Sequence, residues 1–282
     1  FHIPRTYASA SEMFAKEEAD GVFIVMPPHL LFDLVVAALR RKLNVFIEKP
    51  PGITSVITET FAREAAAHGV FGMAGFNRRF MPMVQYAKRL VEESGGITQL
   101  TGTFYKGNNT TFYDGNIEAI MADGIHCVDT LRYLAGTEQP IEEVYSLAGS
   151  CGGGSLNNAW NALIRFANGI SAVLQLNYNT GGRIHTFEVH GCGISAYLDP
   201  DNQATVLENN GGYLNDNVQV RTTQEIAGSE LRNDYYGFFA QDRYFIDCIR
   251  TKSEPHASFR DAVRTMKLIE AISRGTKAPI SL

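Results

Sequence analysis

Asn44-Val45-Phe46-Ile47-Glu48-Lys49-Pro50 is a short apolar run that ends in an acid, a base and a chain-stiffener. Val45, Phe46 and Ile47 are strand formers on a continuous buried stretch. Pro50 fixes φ and cannot extend a ladder, so the strand stops and the chain turns there. In an open parallel sheet, ligands bind in the crevice beyond the carboxyl ends of the strands. Lys49 therefore stands where a reacting or binding cation would stand. The same seven residues also accommodate a plainer reading, a solvated charge at a strand end.

The flanking sequence repeats that unit. Upstream, Asp20-Gly21 precedes Val22-Phe23-Ile24-Val25-Met26, an apolar run stopped by Pro27-Pro28. His29 to Leu43 then carries Leu31, Leu34, Val35, Ala38 and Leu39 at helical spacing, with Arg40, Arg41 and Lys42 in the last turn, where cations complement the helix dipole. Downstream, Thr54 or Ser55 caps a helix that Gly69 ends, and Val70 to Phe76 forms a third strand. Strands alternating with short helices predict parallel β with right-handed crossovers. The polar clusters at Pro27-Pro28, Glu48-Lys49-Pro50 and Asn77-Arg78-Arg79 then end successive strands of one sheet. Residues 1–21 carry no G-x-G-x-x-G turn of the kind that opens a dinucleotide fold. They read as a turn at Pro4 and a helix over residues 9–18. We expect residues 1–80 to be the C-terminal part of a Rossmann-like dinucleotide-binding domain whose start lies outside this sequence.

The pattern changes in residues 81–282. Pro82 to Glu93 reads as an amphipathic helix closed by Gly95-Gly96. Strands are expected at 97–106, 141–149, 160–167, 170–178, 184–190, 194–198, 203–207 and 218–222. Asn168-Gly169, a strong hairpin signal, joins two of them. Helices are expected over 116–134, 235–250 and 258–274. The fold class is thus α/β: a partial Rossmann-like parallel sheet, then an α/β domain with a large, open, mainly antiparallel sheet. Cys151 to Ser155 joins strands and opens no helix, so it reads as a flexible loop and not as a phosphate cradle.

Composition narrows the function classes. The chain has 282 residues, 45% hydrophobic and 20% charged, which suits a globular protein of roughly two domains. A net charge of -5 argues against a general nucleic-acid binder. No apolar run is long enough to span a bilayer. Cys127, Cys151, Cys192 and Cys248 are scattered, which fits reduced, mostly buried thiols in a cytoplasm better than disulfides or a metal site.

On the helix expected at 116–134, Asp123, His126 and Asp129 recur every third residue. Positions i and i+3 share a helix face, so Asp123 can orient His126, a residue type suited to carrying protons near neutral pH. A core histidine beside two ordinary acids is the alternative. One His and two acids are a poor metal set. Lys106, Asn108, Arg183 and His185 sit at expected strand ends as candidate pocket residues, with ordinary surface polarity as the alternative, and Lys106, Arg183 and His185 are taken as the substrate contacts.

These stretches in order resemble the glucose–fructose oxidoreductase, inositol dehydrogenase and MocA family. The resemblance rests on Val25-Met26-Pro27-Pro28-His29, the Glu48-Lys49-Pro50 strand, Ala74 to Pro82, Gly124-Ile125-His126-Cys127-Val128-Asp129, Ala167-Asn168-Gly169 and Pro255 to Ala262. It implies hydride transfer between NAD or NADP and a hydroxyl-bearing carbon of a sugar, cyclitol or derivative, and assembly as a homo-dimer or homo-tetramer through the open sheet. It further implies that Lys49 touches both nicotinamide and substrate hydroxyl and that His126 handles the proton, with Asp123 beside it. Met26, Pro27, Pro28, His29, Glu48, Asn77 and Arg78 are then the cofactor's neighbours. Three positions depart from the family pattern: Ala122 stands where many members carry an acid four residues before the histidine, and Met26 and Leu31 replace a usual Thr and His. Two alternatives remain open at this point, a non-catalytic ligand-binding relative and an NAD-using glycoside hydrolase.

Overall fold

The computed structural model describes residues 3–107, 111–112, 117–152, 156–209 and 217–276. The chain divides into two compact units, Phe1–Gly75 with Tyr244–Val263, and Phe76–Arg243 with Arg264–Leu282.

In the first unit, α1 (Ala10–Lys16) precedes β1 (Gly21–Ile24), α2 (Phe32–Arg40), β2 (Asn44–Glu48), α3 (Ser55–His68) and β3 (Gly72–Gly75). The three strands pair in parallel in the order β1-β2-β3, with Ile24 opposite Ile47 and Glu48 opposite Gly75. The helix boundaries follow local chemistry. Thr54 accepts a hydrogen bond from the Ile57 amide and caps α3, and Gly69, at φ 68°, ends it in the left-handed region. The core is Val45 and Ile47 from β2, Val35 and Leu39 from α2, and Phe61 from α3, all 0% exposed. Each such side chain contributes about 1.5–3 kcal/mol by burial.

This sheet also receives chain from far along the sequence. Ala257 accepts a hydrogen bond from the Ala74 amide at 2.9 Å, and Ser258 bridges Met73 in antiparallel fashion. Phe259 joins the core. A Cβ on Gly72 would lie 1.9 Å from its ring, so glycine there is a packing requirement.

The second unit begins with a 3-10 turn, Asn77–Phe80, and α4 (Pro82–Glu93). There follow β4 (Ile97–Tyr105), β5 (Thr111–Phe112), β6 (Ile117–Glu118), a π-helical turn (Ile120–Gly124) and α5 (Ile125–Ala135). The remaining strands are β7 (Ile141–Gly149), β8 (Ala159–Phe166), β9 (Ser171–Asn177), β10 (Ile184–Gly191), β11 (Ile194–Asp199), β12 (Gln203–Glu208) and β13 (Asn217–Thr222). Helices α6 (Thr223–Ala227), α7 (Arg232–Tyr235), α8 (Phe238–Thr251) and α9 (Phe259–Arg274) close the chain. Eight strands form one sheet in the order β13-β12-β11-β10-β4-β9-β8-β7. Every neighbouring pair is antiparallel except β4 and β9, where Tyr105 lies opposite Asn177 in parallel. Period-2 burial gives each strand an inner face, as in Trp160, Ala162, Ile164 and Phe166 of β8. Asn168-Gly169 makes the expected β8–β9 hairpin, with Gly169 at φ 86°.

Helix α5 packs on the inner face where β4 carries Gly102; a Cβ there would come within 2.6 Å of Cys127 Sγ. The helix expected over 116–134 is shorter than the periodicity suggests. Residues 117–118 pair as a strand, and the following turn is π-wound before α-geometry begins at Ile125; Asn108 and Asn116 lie outside the described residues. The expected loop at 151–155 falls partly outside them too, at 153–155. The expectation of mostly buried thiols holds for Cys127 and Cys248, whereas Cys151 and Cys192 are exposed. Among the described residues no helix is long and apolar enough to cross a membrane.

Candidate active site

In the first unit, the candidate residues gather where the parallel strands stop. Glu48 ends β2 and Lys49 follows it, both half-buried, before the buried pair Pro50-Pro51. The Lys49–Pro50 peptide is cis. Since Ile24 and Ile47 are level across the ladder, the stretch after β1 emerges at the same edge: Met26 and Pro27 half-buried, Pro28 buried, His29 exposed. Gly75 closes the edge on the other side; a Cβ there would stand 3.2 Å from the Ile47 carbonyl. A cation, a carboxylate and a rigid double-proline turn thus share one strand-end edge. They do not supply the phosphate-binding glycine turn, which residues 3–21 lack.

In the second unit, Asp123 sits in the π-turn and His126 in the first turn of α5. Winding of this kind often marks functional positions. Asp123 is 8% exposed. Its Oδ1 accepts from Lys106 Nζ at 2.7 Å and its Oδ2 accepts from the Tyr178 hydroxyl at 3.0 Å. The sequence pointed Asp123 at His126; the structure gives its two oxygens to Lys106 and Tyr178. Burial first, and the Asp123 charge second, push the Tyr178 hydroxyl well above its ordinary pKa, so Tyr178 stays a donor. Burial likewise drives the Cys127 thiol upward, which leaves it an inert neutral group.

Asp129, the third residue of the helical series, has a different place. Arg79 donates to it twice, at 2.7 Å and 2.5 Å, and Thr265 donates a third bond at 2.8 Å. Arg79 is 0% exposed and Asp129 1%. This is a satisfied, buried ion pair that locks α5 to the Asn77–Phe80 turn.

The other arginine of that turn leads to the remaining candidates. Asn77 donates to the Tyr236 carbonyl at 2.9 Å. Arg78 is 4% exposed; its Nη2 donates to His185 Nδ1 at 3.0 Å, and its guanidinium lies 4.6 Å over the Phe104 ring. Arg183 Nη2 reaches the same His185 nitrogen at 3.2 Å and also the Tyr236 hydroxyl. The His185 ring stacks on Phe104 with centroids 3.8 Å apart. Arg183 pairs with Asp201, to which Tyr236 also donates. Burial, then Arg78, Arg183 and Lys106, lower the His185 pKa to about 2.

The sequence-predicted residues Arg78, Lys106, Asp123, Arg183 and His185 therefore belong to one polar cluster at the ends of β4, β9 and β10, buried at Arg78, Asp123 and His185 and open at Arg183. Sequence reasoning missed Phe104, Tyr178, Asp201 and Tyr236. Alternation along β9 (Leu174, Leu176, then Tyr178) was the available signal for one of them. The parallel β4–β9 pairing that brings Tyr178 beside Lys106 has no short-range signature.

Comparison with known proteins completes the picture. Residues 1–76 match the family model described as oxidoreductase family, NAD-binding Rossmann fold, and residues 84–195 match the GFO/IDH/MocA C-terminal domain. An uncharacterized oxidoreductase, YrbE, of Bacillus subtilis is 24% identical over 268 residues, covering 90% of this chain and 75% of its own. D-xylose 1-dehydrogenase (NADP(+)) 2 of Haloferax volcanii is 24% identical over 294 residues, covering 99% and 86%. Among solved structures, an oxidoreductase from Agrobacterium radiobacter, crystallised with NAD+, L-tartaric acid and magnesium, shares the fold. Its TM-score is 0.83 at 17% identity, covering 100% of this chain and 85% of that one. With both of its domain models matched in chain order, this chain belongs to the glucose–fructose oxidoreductase, inositol dehydrogenase and MocA family of NAD-binding oxidoreductases.

Proposed function

We propose that the chain is a dehydrogenase that moves a hydride between NAD or NADP and a CH–OH carbon of a sugar, cyclitol or related polyol. The observation that carries this reading is the pair of family-model matches, which span both the Lys49 and the His126 stretches. When bound, the nicotinamide supplies the hydride acceptor. The protein then needs a cation, a base and orientation. The Lys49 ammonium steadies charge that builds on the substrate oxygen, and the His126 imidazole takes the hydroxyl proton. Asp123, clamped by Lys106 and Tyr178, holds a fixed negative charge three residues before His126. Met26, Pro27, Pro28, His29, Glu48 and Asn77 are the proposed cofactor contacts; Arg78, expected beside the cofactor but bonded to His185, joins Lys106, Arg183 and His185 as a proposed substrate contact. Scattered cysteines without a disulfide among the described residues support a reducing, cytoplasmic setting.

The test is direct. The full chain is mixed with NAD+ or NADP+ and a panel of polyols, and reduced nicotinamide is followed by absorbance. Lys49→Met and His126→Asn should each lower turnover by about 10²- to 10⁴-fold while leaving cofactor affinity, titrated by fluorescence, nearly unchanged. Small, equal losses in turnover and affinity would sink the assignment of roles.

A further inference from the structure

The Arg78 cluster holds more donors than its own residues use. Arginine can only donate, so His185 Nδ1, facing both Arg78 and Arg183, must accept. The ring is therefore neutral with its proton on Nε2, a conclusion that geometry reaches alone. That Nε2 is buried without a hydrogen-bond partner among the described residues, and so are Nε and Nη1 of Arg78. The nearby acceptors are already engaged: Asp123 by Lys106 and Tyr178, Asp201 by Arg183 and Tyr236. Charge is out of balance in the same place. Three cations, Arg78, Lys106 and Arg183, face two carboxylates, Asp123 and Asp201, and the cation left without a carboxylate is the most buried one.

A buried guanidinium without an anion is costly. Packing over Phe104 offsets part of that cost through cation–π attraction. It leaves the in-plane Nε–H and Nη1–H groups without an acceptor among the described residues, while Nη2 donates to His185. The cluster meets solvent at the Lys106 and Arg183 side chains, 19% and 40% exposed.

We propose that Arg78, His185 and Arg183 form a subsite for a carboxylate, so that the substrate is a polyol acid and not a neutral sugar. This deepens the dehydrogenase reading and rests on it for the word substrate, but binding itself does not depend on turnover. One excess positive charge selects a monoanion; a phosphate ester, close to a dianion at neutral pH, overshoots it. Neutral His185 adds a directed Nε2–H without adding repulsive charge. The subsite holds the acid end of the molecule.

The experiment titrates the full chain, with and without NAD+, with D-gluconate, D-glucuronate, D-glucose and D-glucose 6-phosphate, reading heat and melting temperature. The two acids should bind about 10- to 100-fold more tightly than glucose, as charge-assisted hydrogen bonds predict. Arg78→Gln should abolish that preference. Since Arg78 is buried and this variant can unfold, Arg183→Gln, at the exposed edge, serves as the second variant and should reduce the preference. Equal affinity for glucose and the acids overturns the proposal, as does a preference untouched by Arg183→Gln and His185→Asn. Tightest binding of the phosphate ester overturns the carboxylate assignment. Selective acid binding with no reduction of NAD+ or NADP+ by any panel member sinks the dehydrogenase reading and leaves the subsite standing. Oxidation of neutral sugars with no acid preference does the reverse.

Discussion

His185 shows how a single residue's surroundings decide what it can do. Two guanidinium groups and Lys106 face it, and Phe104 covers its ring, so a proton added there meets only repulsion. The linkage runs one way. With a folded pKa near 2 and an ordinary unfolded value near 6.5, the unfolded chain takes up a proton between those limits and the native chain does not. His185 therefore has no effect on stability above about pH 6.5. It destabilises the fold increasingly as pH falls below that value, by up to about 1.4 kcal/mol per pH unit. Urea midpoints from pH 7 to pH 4 should fall less steeply in His185→Phe than in the parent chain; parallel slopes would show that the ring charges freely. Asp129 offers the contrasting case. Its partner Arg79 has no water to fall back on, so Asp129→Ala should cost about 3–5 kcal/mol in unfolding free energy. A loss below about 1 kcal/mol would mean that Arg79 finds another acceptor. Both residues were visible in the sequence as polar groups of interest, but their roles were not. His126 and Asp129 are both three residues from a neighbouring candidate, and spacing alone cannot say that Asp129 is spoken for by an arginine fifty positions earlier.

At the scale of elements, local chemistry wrote most boundaries. Thr54 and Gly69 bracket α3 as their side-chain and backbone preferences require. The Asn168-Gly169 hairpin formed for the same reason. The segment after β4 is where local reading failed. Residues 120–134 carry a helical apolar pattern, and periodicity near 3.6 does not separate α from π winding over a single turn. What selects the π-turn is tertiary: Asp123 is drawn to Lys106 and Tyr178, and Gly124 lies under Leu176, which a Cβ would approach to 2.8 Å. The parallel β4–β9 pair was equally illegible, because its strands are separated by some seventy residues and each, read alone, alternates like an antiparallel strand. The Lys106–Asp123–Tyr178 end of the Arg78 cluster depends on that pairing and the His185–Phe104 end on the β4–β10 pair, so its members appeared in the sequence as unconnected strand-end charges.

Among the described residues, the sheet of the second unit carries helices on one face and exposed apolar side chains on the other. Helices α4 and α5 lie against the inner face. Cross-strand register places Leu147, Leu163, Ile184, Tyr197, Val218 and Val220 on the other. All six are exposed, Leu163 at 57% and Leu147 at 56%. Singly exposed apolar residues are ordinary, but here Leu147 and Leu163 group at one end of the sheet and Val218 and Val220 at the other, on the same face. We propose a second copy of the chain as the partner of this face, since a sheet face can meet itself about a two-fold axis with no further structure. Sedimentation equilibrium of the parent chain should therefore give a dimer or tetramer at micromolar concentration. Leu163→Glu, in a strand flanked on both sides, should weaken that assembly at least about tenfold, because an unpaired carboxylate would be buried at the contact. Its far-ultraviolet spectrum should not change, as residue 163 is 57% exposed and points away from the face that carries Trp160, Ala162, Ile164 and Phe166. A parent chain that sediments as a monomer at tens of micromolar would remove this face from the assembly altogether.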